Sequence, residues 1–196
     1  MTPQAYARAE PRIAAAMARA LAPRKPLTVS QWADADRRLS SKGSAEPGKW
    51  RTARNPPLRE PMDCLSARSP VQTVVLMFPI QFGKTEIAVN VLGYTMDNHP
   101  GPIMVCLPGE VSQQKWVAQK LNPMLEETPS VQATLTSTDS RNGANRREFK
   151  DFAGGQLYIE HAGSPSRLKS TSVRTLIVDE LDEFAANLTS GDDPVE

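Results

Sequence analysis

Residues 71–85, VQTVVLMFPIQFGKT, decide the fold class. The first eight, Val71–Phe78, are largely apolar, which is typical of a strand buried on both faces. Gly83-Lys84-Thr85 then opens a helical pattern. A turn between a buried strand and a helix presents backbone N–H groups to phosphate oxygens, and the helix dipole further stabilises the negative charge of the phosphate. The stretch therefore predicts a phosphate-binding loop, residues 78–85, although Phe78 stands where G-x-x-x-x-G-K-[ST] begins with glycine.

The three residues of this motif have distinct chemistry. Gly83 lets the backbone pass close to phosphates, and Lys84 supplies a cation for the β- and γ-oxygens. The Thr85 hydroxyl can ligate Mg²⁺. Because Gly-Lys-Thr often occurs by chance, a helix N-terminus with an exposed lysine is the simpler alternative.

A second motif lies about 95 residues beyond Lys84. Thr175–Val178 (TLIV) predicts another strand buried on both faces, and Asp179-Glu180 follows it directly. An aspartate at the carboxyl end of a strand can hold Mg²⁺, and the adjacent glutamate can orient and deprotonate an attacking water. An acidic surface turn after a strand is the alternative for Asp179 and Glu180.

The segments between these motifs alternate between apolar strands and helices, which favours an α/β fold with a largely parallel sheet flanked by helices. The patterns predict a helix over Lys84–Asp97 and a buried strand over Pro102–Pro108. A second helix is predicted over Glu110–Glu127, with a break near Pro123. Further on, a hairpin is predicted at Gly154-Gly155, between Arg147–Phe152 and Gln156–Glu160.

The first third of the chain has a different character. Residues 4–22 predict an Ala-rich helix, and Ser30 is expected to cap a short second helix. Residues 41–69 are rich in proline, glycine and serine and predict a connector in which Trp50 is an anchor. We therefore expect an N-terminal helical arm over 1–40, a connector over 41–69 and an α/β core over 70–196.

Composition excludes several classes of protein. A hydrophobic fraction of 39% argues against general disorder, and a net charge of +1 implies no overall attraction to nucleic acid. Cys64 and Cys106 are too few for a disulfide framework or a zinc site. No apolar run approaches the roughly 20 residues of a membrane span, so we expect a soluble protein of the cytoplasm.

At this point the sequence resembles the large terminase subunits of tailed phages, in particular the lambda-like type. The resemblance is spread over most of the chain, and its last two segments are the most specific, because a loop rich in serine and basic residues leads directly into the strand before Asp179. The segments are Ser30–Asp34 (SQWAD), Trp50 with the stretch to Met62, Gln81–Glu86 (QFGKTE), Leu121–Pro129 (LNPMLEETP), Ser164–Arg174 (SPSRLKSTSVR) and Leu176–Phe184 (LIVDELDEF).

The resemblance implies a RecA-like P-loop ATPase that drives double-stranded DNA into a procapsid. Such motors act in the host cytoplasm, work with a small terminase subunit and the portal, assemble as homo-oligomers and are usually joined to an RNase H-like nuclease. By this match Gln81, Phe82, Gly83, Lys84, Thr85 and Glu86 would bind ATP. Thr85 and Asp179 would hold Mg²⁺, and Glu180 would activate water.

The chain departs from the family pattern at three places. Many terminases have an arginine where Gln81 stands, so the charge on the transferring phosphate needs another cation, for which Arg167 and a group of a neighbouring subunit are the candidates. A solvated basic turn is the alternative for Arg167. Leu58 stands where a glutamine often reads adenine. The sequence ends soon after Glu180, so we expect a fragment or a truncated product with an incomplete core.

Two other functions fit the same motifs. Asp179-Glu-Leu-Asp182 also matches the DExD form of helicase-type translocases, in which a second RecA lobe would follow. A remnant that binds ATP without turning it over is the other alternative, and it differs from an active motor in lacking hydrolysis stimulated by DNA.

Overall fold

The computed structural model describes residues 26–42, 44, 46–136 and 145–184. The helix predicted over residues 4–22 lies outside this part of the chain. Within it, helices occupy the first half and the region between the strands: α1 Val29–Asp36, α2 Arg59–Cys64, α3 Lys84–Asp97, α4 Glu110–Trp116, α5 Asn122–Glu127, α6 Pro129–Gln132 and α7 Pro165–Lys169.

The strands form two sheets. Arg38–Leu39 (β1) and Gly48–Lys49 (β2) make a small antiparallel pair. The main sheet has the order β4-β5-β6-β3-β7 and contains β3 Ile103–Leu107, β4 Asn145–Arg146, β5 Phe149–Phe152, β6 Gly155–His161 and β7 Thr175–Val178. Its three strands β6, β3 and β7 are parallel, and β5 and β4 add an antiparallel edge. The α/β fold with a largely parallel sheet and flanking helices is confirmed.

The core lies between one face of this sheet and the helices. Ile103, Val105 and Leu107 of β3 point into it, and Ile87 and Leu92 of α3 are almost completely buried there. The predicted helix Lys84–Asp97 is confirmed with the same bounds. The predicted strand at Pro102–Pro108 is confirmed as β3, which is buried along its whole length.

The run Glu110–Glu127 is helical throughout but irregular in the middle. The α-helical segments α4 and α5 are joined by a π-helical turn at Val117–Leu121, immediately before Pro123. Because proline lacks an N–H and its ring clashes with the preceding turn, a widened turn there lets the chain stay helical. The expected break near Pro123 is therefore a local change of helix type.

The predicted hairpin is confirmed with a shifted turn. Phe152 of β5 pairs with Gly155 of β6, so the two turn residues are Ala153 and Gly154 rather than Gly154 and Gly155. Gly154 has a φ of 89°, a conformation that side chains other than glycine rarely adopt. A Cβ on Gly155 would lie 2.4 Å from the Gly101 carbonyl oxygen, so the second glycine allows close backbone approach.

The prediction of a buried strand over Val71–Phe78 is wrong. Residues 71–79 form neither helix nor strand, and their backbone donates and accepts no hydrogen bond with the described strands. Exposure alternates along the segment, as in an extended chain: Leu76 and Phe78 pack against the core, whereas Val75 and Met77 are 79% and 90% exposed. The apolar side chains are those of a buried strand, but a strand also needs a neighbouring strand whose backbone pairs with its own.

The strand at Thr175–Val178 is confirmed as β7, but it is not buried on both faces. Ile177 packs against the core, while Leu176 and Val178 are 58% and 41% exposed. β7 is an edge strand paired only with β3, and no element in the described part of the chain covers the face that carries Leu176 and Val178.

The N-terminal helix α1 begins earlier than expected. Its cap is Thr28, whose side chain accepts from the backbone of Gln31 in a capping box, so the predicted cap at Ser30 is wrong. The connector is more ordered than predicted, because it contains α2 and buries Leu58 and Met62. Trp50 is an anchor, 8% exposed. No helix in the described ranges is long and apolar enough to cross a membrane.

Candidate functional site

The backbone of the predicted phosphate-binding loop is held by the connector. Asn55 donates from Nδ2 to the Phe82 carbonyl oxygen at 2.9 Å, and a Cβ on Gly83 would lie 3.0 Å from Leu58 Cδ1. Gly83 has a φ of 109°, a conformation that favours glycine, and a side chain there would press on the end of Leu58. Leu58 thus packs beneath the loop and offers no polar group to a base.

Left-handed backbone marks both halves of the predicted site. Among the described non-glycine residues, only Gln81 and Glu180 have positive φ, at 60° and 57°. Such a conformation costs about 1 kcal/mol or more per residue and is concentrated at functional sites. The two strained residues therefore support a site formed by the loop and the end of β7.

The N-terminus of α3 presents groups that suit an anion. The backbone N–H groups of Gly83, Lys84 and Thr85 donate to no other described residue, as expected for the first turn of a helix. The Lys84 ammonium donates to the Phe78 carbonyl oxygen at 3.2 Å, across the mouth of the loop. Free N–H groups at the start of a 14-residue helix and a nearby cation are the groups that an anion such as phosphate would need.

The two motifs meet at Asp179. Thr85 donates from Oγ1 to Asp179 Oδ2 at 3.2 Å, and Trp116 donates from Nε1 to the same oxygen at 3.2 Å. A hydroxyl and a carboxylate are the hard oxygen ligands that Mg²⁺ prefers, and one carboxylate oxygen accepts neither of these bonds. The residues present at this point therefore fit a Mg²⁺ ion held between the loop and β7.

Glu180 lies beside this pair in a strongly acidic turn. Partial burial raises the pKa of its carboxyl above the ordinary value, and repulsion by Glu183, Asp179 and Asp182 raises it further. Lys84 opposes the shift, which means that its ammonium is close enough to interact with Glu180. A carboxylate with a raised pKa beside the Lys84 ammonium is suited to accept a proton.

Arg167 lies in a different environment from the one proposed for it from the sequence. Its guanidinium contacts Glu148 at 3.1 Å and Glu160 at 3.5 Å, and these carboxylates raise the pKa of Arg167. Glu160 is 11% exposed at its side chain, and its burial raises the pKa of its carboxyl against the effect of Arg167. The Arg167 side chain is 54% exposed, so one side of it faces solvent.

Glu86, the last residue assigned to the nucleotide, bridges two cations. It contacts Lys120 at 2.9 Å and Arg37 at 3.4 Å, and the Arg37 side chain is 5% exposed. Burial lowers the pKa of Arg37, and the charge of Glu86 opposes that shift. Glu86 therefore links the first turn of α3 to the end of α1 and to the π-helical turn.

We expect Glu86→Gln to lower the free energy of unfolding by about 1–3 kcal/mol, because it leaves the buried Arg37 charge without its carboxylate. Denaturant unfolding measures this loss. The matched control is Glu126→Gln, which removes an exposed ion pair of 3.3 Å to Lys42 and should change stability by less than about 0.5 kcal/mol. Equal stability of the two variants would show that the bridge is not a structural contact.

Sequence reasoning missed the residues that fix the site from outside the two motifs. Trp116 is 63 positions from Asp179, and Asn55 is 27 positions from Phe82. Trp116 belongs to no quoted segment, and Asn55 lies in the stretch from Trp50 to Met62 without a role assigned to it, because both roles depend on contacts between distant segments.

Comparison with known proteins places the chain in a family. No curated protein and no solved structure matches it. One family model does match, over residues 44–196, and it describes the ATPase domain of the phage terminase large subunit gpA. The matched range contains the loop, Asp179 and Glu180 and covers most of the sequence. The chain therefore belongs to the phage terminase large subunit gpA family, and residues 44–196 match the ATPase domain of that family.

Proposed function

We propose that this chain binds ATP with Mg²⁺ at the loop and the end of β7, and hydrolyses it to drive double-stranded DNA into a procapsid. The observation that carries this proposal is the Thr85–Asp179 contact of 3.2 Å between residues 94 positions apart. Membership of a terminase ATPase family supports the packaging role.

Each residue of the site has a role in the proposal. Lys84 and the N–H groups of Gly83 and Thr85 bind the β- and γ-phosphates, with Gln81 and Phe82 shaping the loop around them. Bound Mg²⁺ would neutralise phosphate oxygens, held by Thr85 and Asp179. Glu180 accepts the proton of the attacking water. Glu86 acts through the ion pairs that fix the start of α3.

The proposed partners follow from packaging. Double-stranded DNA is the polymer moved, a small terminase subunit and the portal of the procapsid are the protein partners, and the active motor is a homo-oligomer in the host cytoplasm. The net charge of +1 gives no general attraction to DNA, so we place DNA contacts in the assembled motor.

The direct test of this function is ATP hydrolysis by the purified chain with and without double-stranded DNA. We expect hydrolysis that depends on Mg²⁺ and is stimulated by DNA. Binding of ATP without any hydrolysis, with or without DNA, would favour a non-hydrolysing ATP-binding remnant over an active motor for this chain. Stimulation by single-stranded DNA alone would contradict packaging of duplex DNA.

Arg167 is proposed as the cation that compensates for Gln81, supplied to the γ-phosphate of a neighbouring subunit. Its exposed side supports this role, since an exposed guanidinium can exchange Glu148 and Glu160 for a phosphate. We expect Arg167→Ala to leave ATP affinity within a few-fold and to slow hydrolysis by about 10³-fold or more.

The control for Arg167→Ala is a mixing experiment. If Arg167 acts on the ATP of a neighbouring subunit, hydrolysis should partly recover when Arg167→Ala is mixed with Glu180→Gln. Some sites in the mixed oligomer then have both an intact Arg167 and an intact Glu180. Hydrolysis at the unmodified rate by Arg167→Ala alone would exclude the role, and the absence of recovery on mixing would exclude supply from a neighbour.

A further inference from the structure

Asp179 is oriented by a side chain that neither motif contains. The Trp116 indole donates from Nε1 to Asp179 Oδ2 at 3.2 Å. Trp116 is the last residue of α4 and is 7% exposed, so its ring is fixed by the core. An indole N–H is a donor only and has no lone pair for a metal, so this contact restrains the carboxylate without competing for an ion.

The need for such a restraint follows from the position of Asp179. It follows an edge strand, β7, whose outer face is exposed. Its other described side-chain partner is Thr85, whose hydroxyl is itself a proposed metal ligand. The hydrogen bond from Thr85 is therefore made by a residue that would itself bind the ion. The hydrogen bond from Trp116 is made by a residue of α4, outside the loop, that would not bind it.

We propose that Trp116 is a positioning residue, which holds the Asp179 carboxylate in the orientation that accepts Mg²⁺ with ATP. This inference rests on the proposed function of the site. A hydrogen bond to a charged group is stronger than one between neutral groups, and here it fixes one oxygen and leaves the other for the ion. Without it the carboxylate rotates, and orienting it costs binding free energy.

The test is Trp116→Phe, which keeps an aromatic ring and removes the N–H. We expect the Mg²⁺ concentration that half-saturates binding of a fluorescent ATP analogue to rise on the order of 10-fold. Binding of the analogue in EDTA should stay within two-fold or so of the unmodified chain, because the phosphate contacts do not involve Trp116. This split separates an effect on the ion from general damage to the site.

The chain offers a matched control in Trp32→Phe. Trp32 is completely buried and also donates from Nε1 to a carboxylate, Asp97 Oδ2 at 2.8 Å, at the opposite end of α3 from the loop. We expect its Mg²⁺ dependence to match that of the unmodified chain once thermal unfolding shows that the variants are folded. An equal rise in Trp32→Phe, or none in Trp116→Phe, overturns the inference.

A spectroscopic measurement tests the inference without changing Trp116. The chain has three tryptophans, so Trp32→Phe with Trp50→Phe leaves Trp116 as the sole indole emitter. We expect its emission to shift when Mg²⁺ is added to the ATP-loaded protein, because the charge on its carboxylate partner is then shared with the ion. Emission that responds to ATP but not to Mg²⁺ overturns the inference. No ATP binding by the unmodified chain overturns the proposed function and this inference with it.

Discussion

Replacement of Glu180 by glutamine is expected to leave ATP binding intact and to slow hydrolysis by about 10²–10⁴-fold, the contribution of a general base. Glutamine keeps the shape of the side chain and removes the group that accepts the proton of water. Single-turnover hydrolysis, with Mg²⁺ present and the protein in saturating excess over ATP, measures the loss separately from binding. Hydrolysis at the unmodified rate would exclude Glu180 from the reaction.

The pH dependence of hydrolysis is a second signature of Glu180. Only the ionised carboxylate accepts a proton, so hydrolysis is lost as pH falls through the pKa of Glu180. Burial and the neighbouring acids raise that pKa, so removal of one of these acids should lower it. The matched variant is Glu183→Gln, which removes a repelling charge and should move the loss to lower pH. An unchanged profile would contradict this electrostatic explanation.

We expect Lys84→Ala to weaken binding of ATP with Mg²⁺ by on the order of 100-fold or more, because the loop then loses the ammonium beside its free N–H groups. Equilibrium titration with a fluorescent ATP analogue measures the affinity. The control is Lys49→Ala, which removes an exposed lysine of β2 and should have no effect. Unchanged affinity in Lys84→Ala would show that residues 78–85 are not the nucleotide site.

Local pattern was sufficient to predict most of the helices and strands around the site. The helix Lys84–Asp97 has the predicted bounds because its apolar spacing and the glycine before it are both local signals. The strand β3 was equally clear, as was the acidic turn after β7. These features need no knowledge of distant residues.

Features that depend on distant partners were not predictable. Val71–Phe78 has the composition of a strand, but strand hydrogen bonds require a paired neighbour, and the described chain gives it none. The left-handed backbone of Gln81 and Glu180 is not encoded by their residue types. The ion pairs of Arg167 with Glu148 and Glu160 likewise arise from the hairpin and β6, and so the motif alone could not reveal them.

The residues around the loop explain how the N-terminal part of the chain takes part in the site. Asn55 and Leu58 support the loop from the connector, and Arg37 contacts Glu86 from the end of α1. The division into an arm over 1–40, a connector over 41–69 and a core over 70–196 stays a prediction. The contacts show that parts of all three ranges pack around α3.

The most direct test of the central claim is a calorimetric titration of the unmodified chain with ATP in the presence of Mg²⁺. A site built from the loop, Thr85 and Asp179 predicts one ATP per chain, competition by ADP, and weaker binding when Mg²⁺ is removed. A correctly folded chain that gives no heat of ATP binding and no rise in melting temperature with ATP would contradict the account.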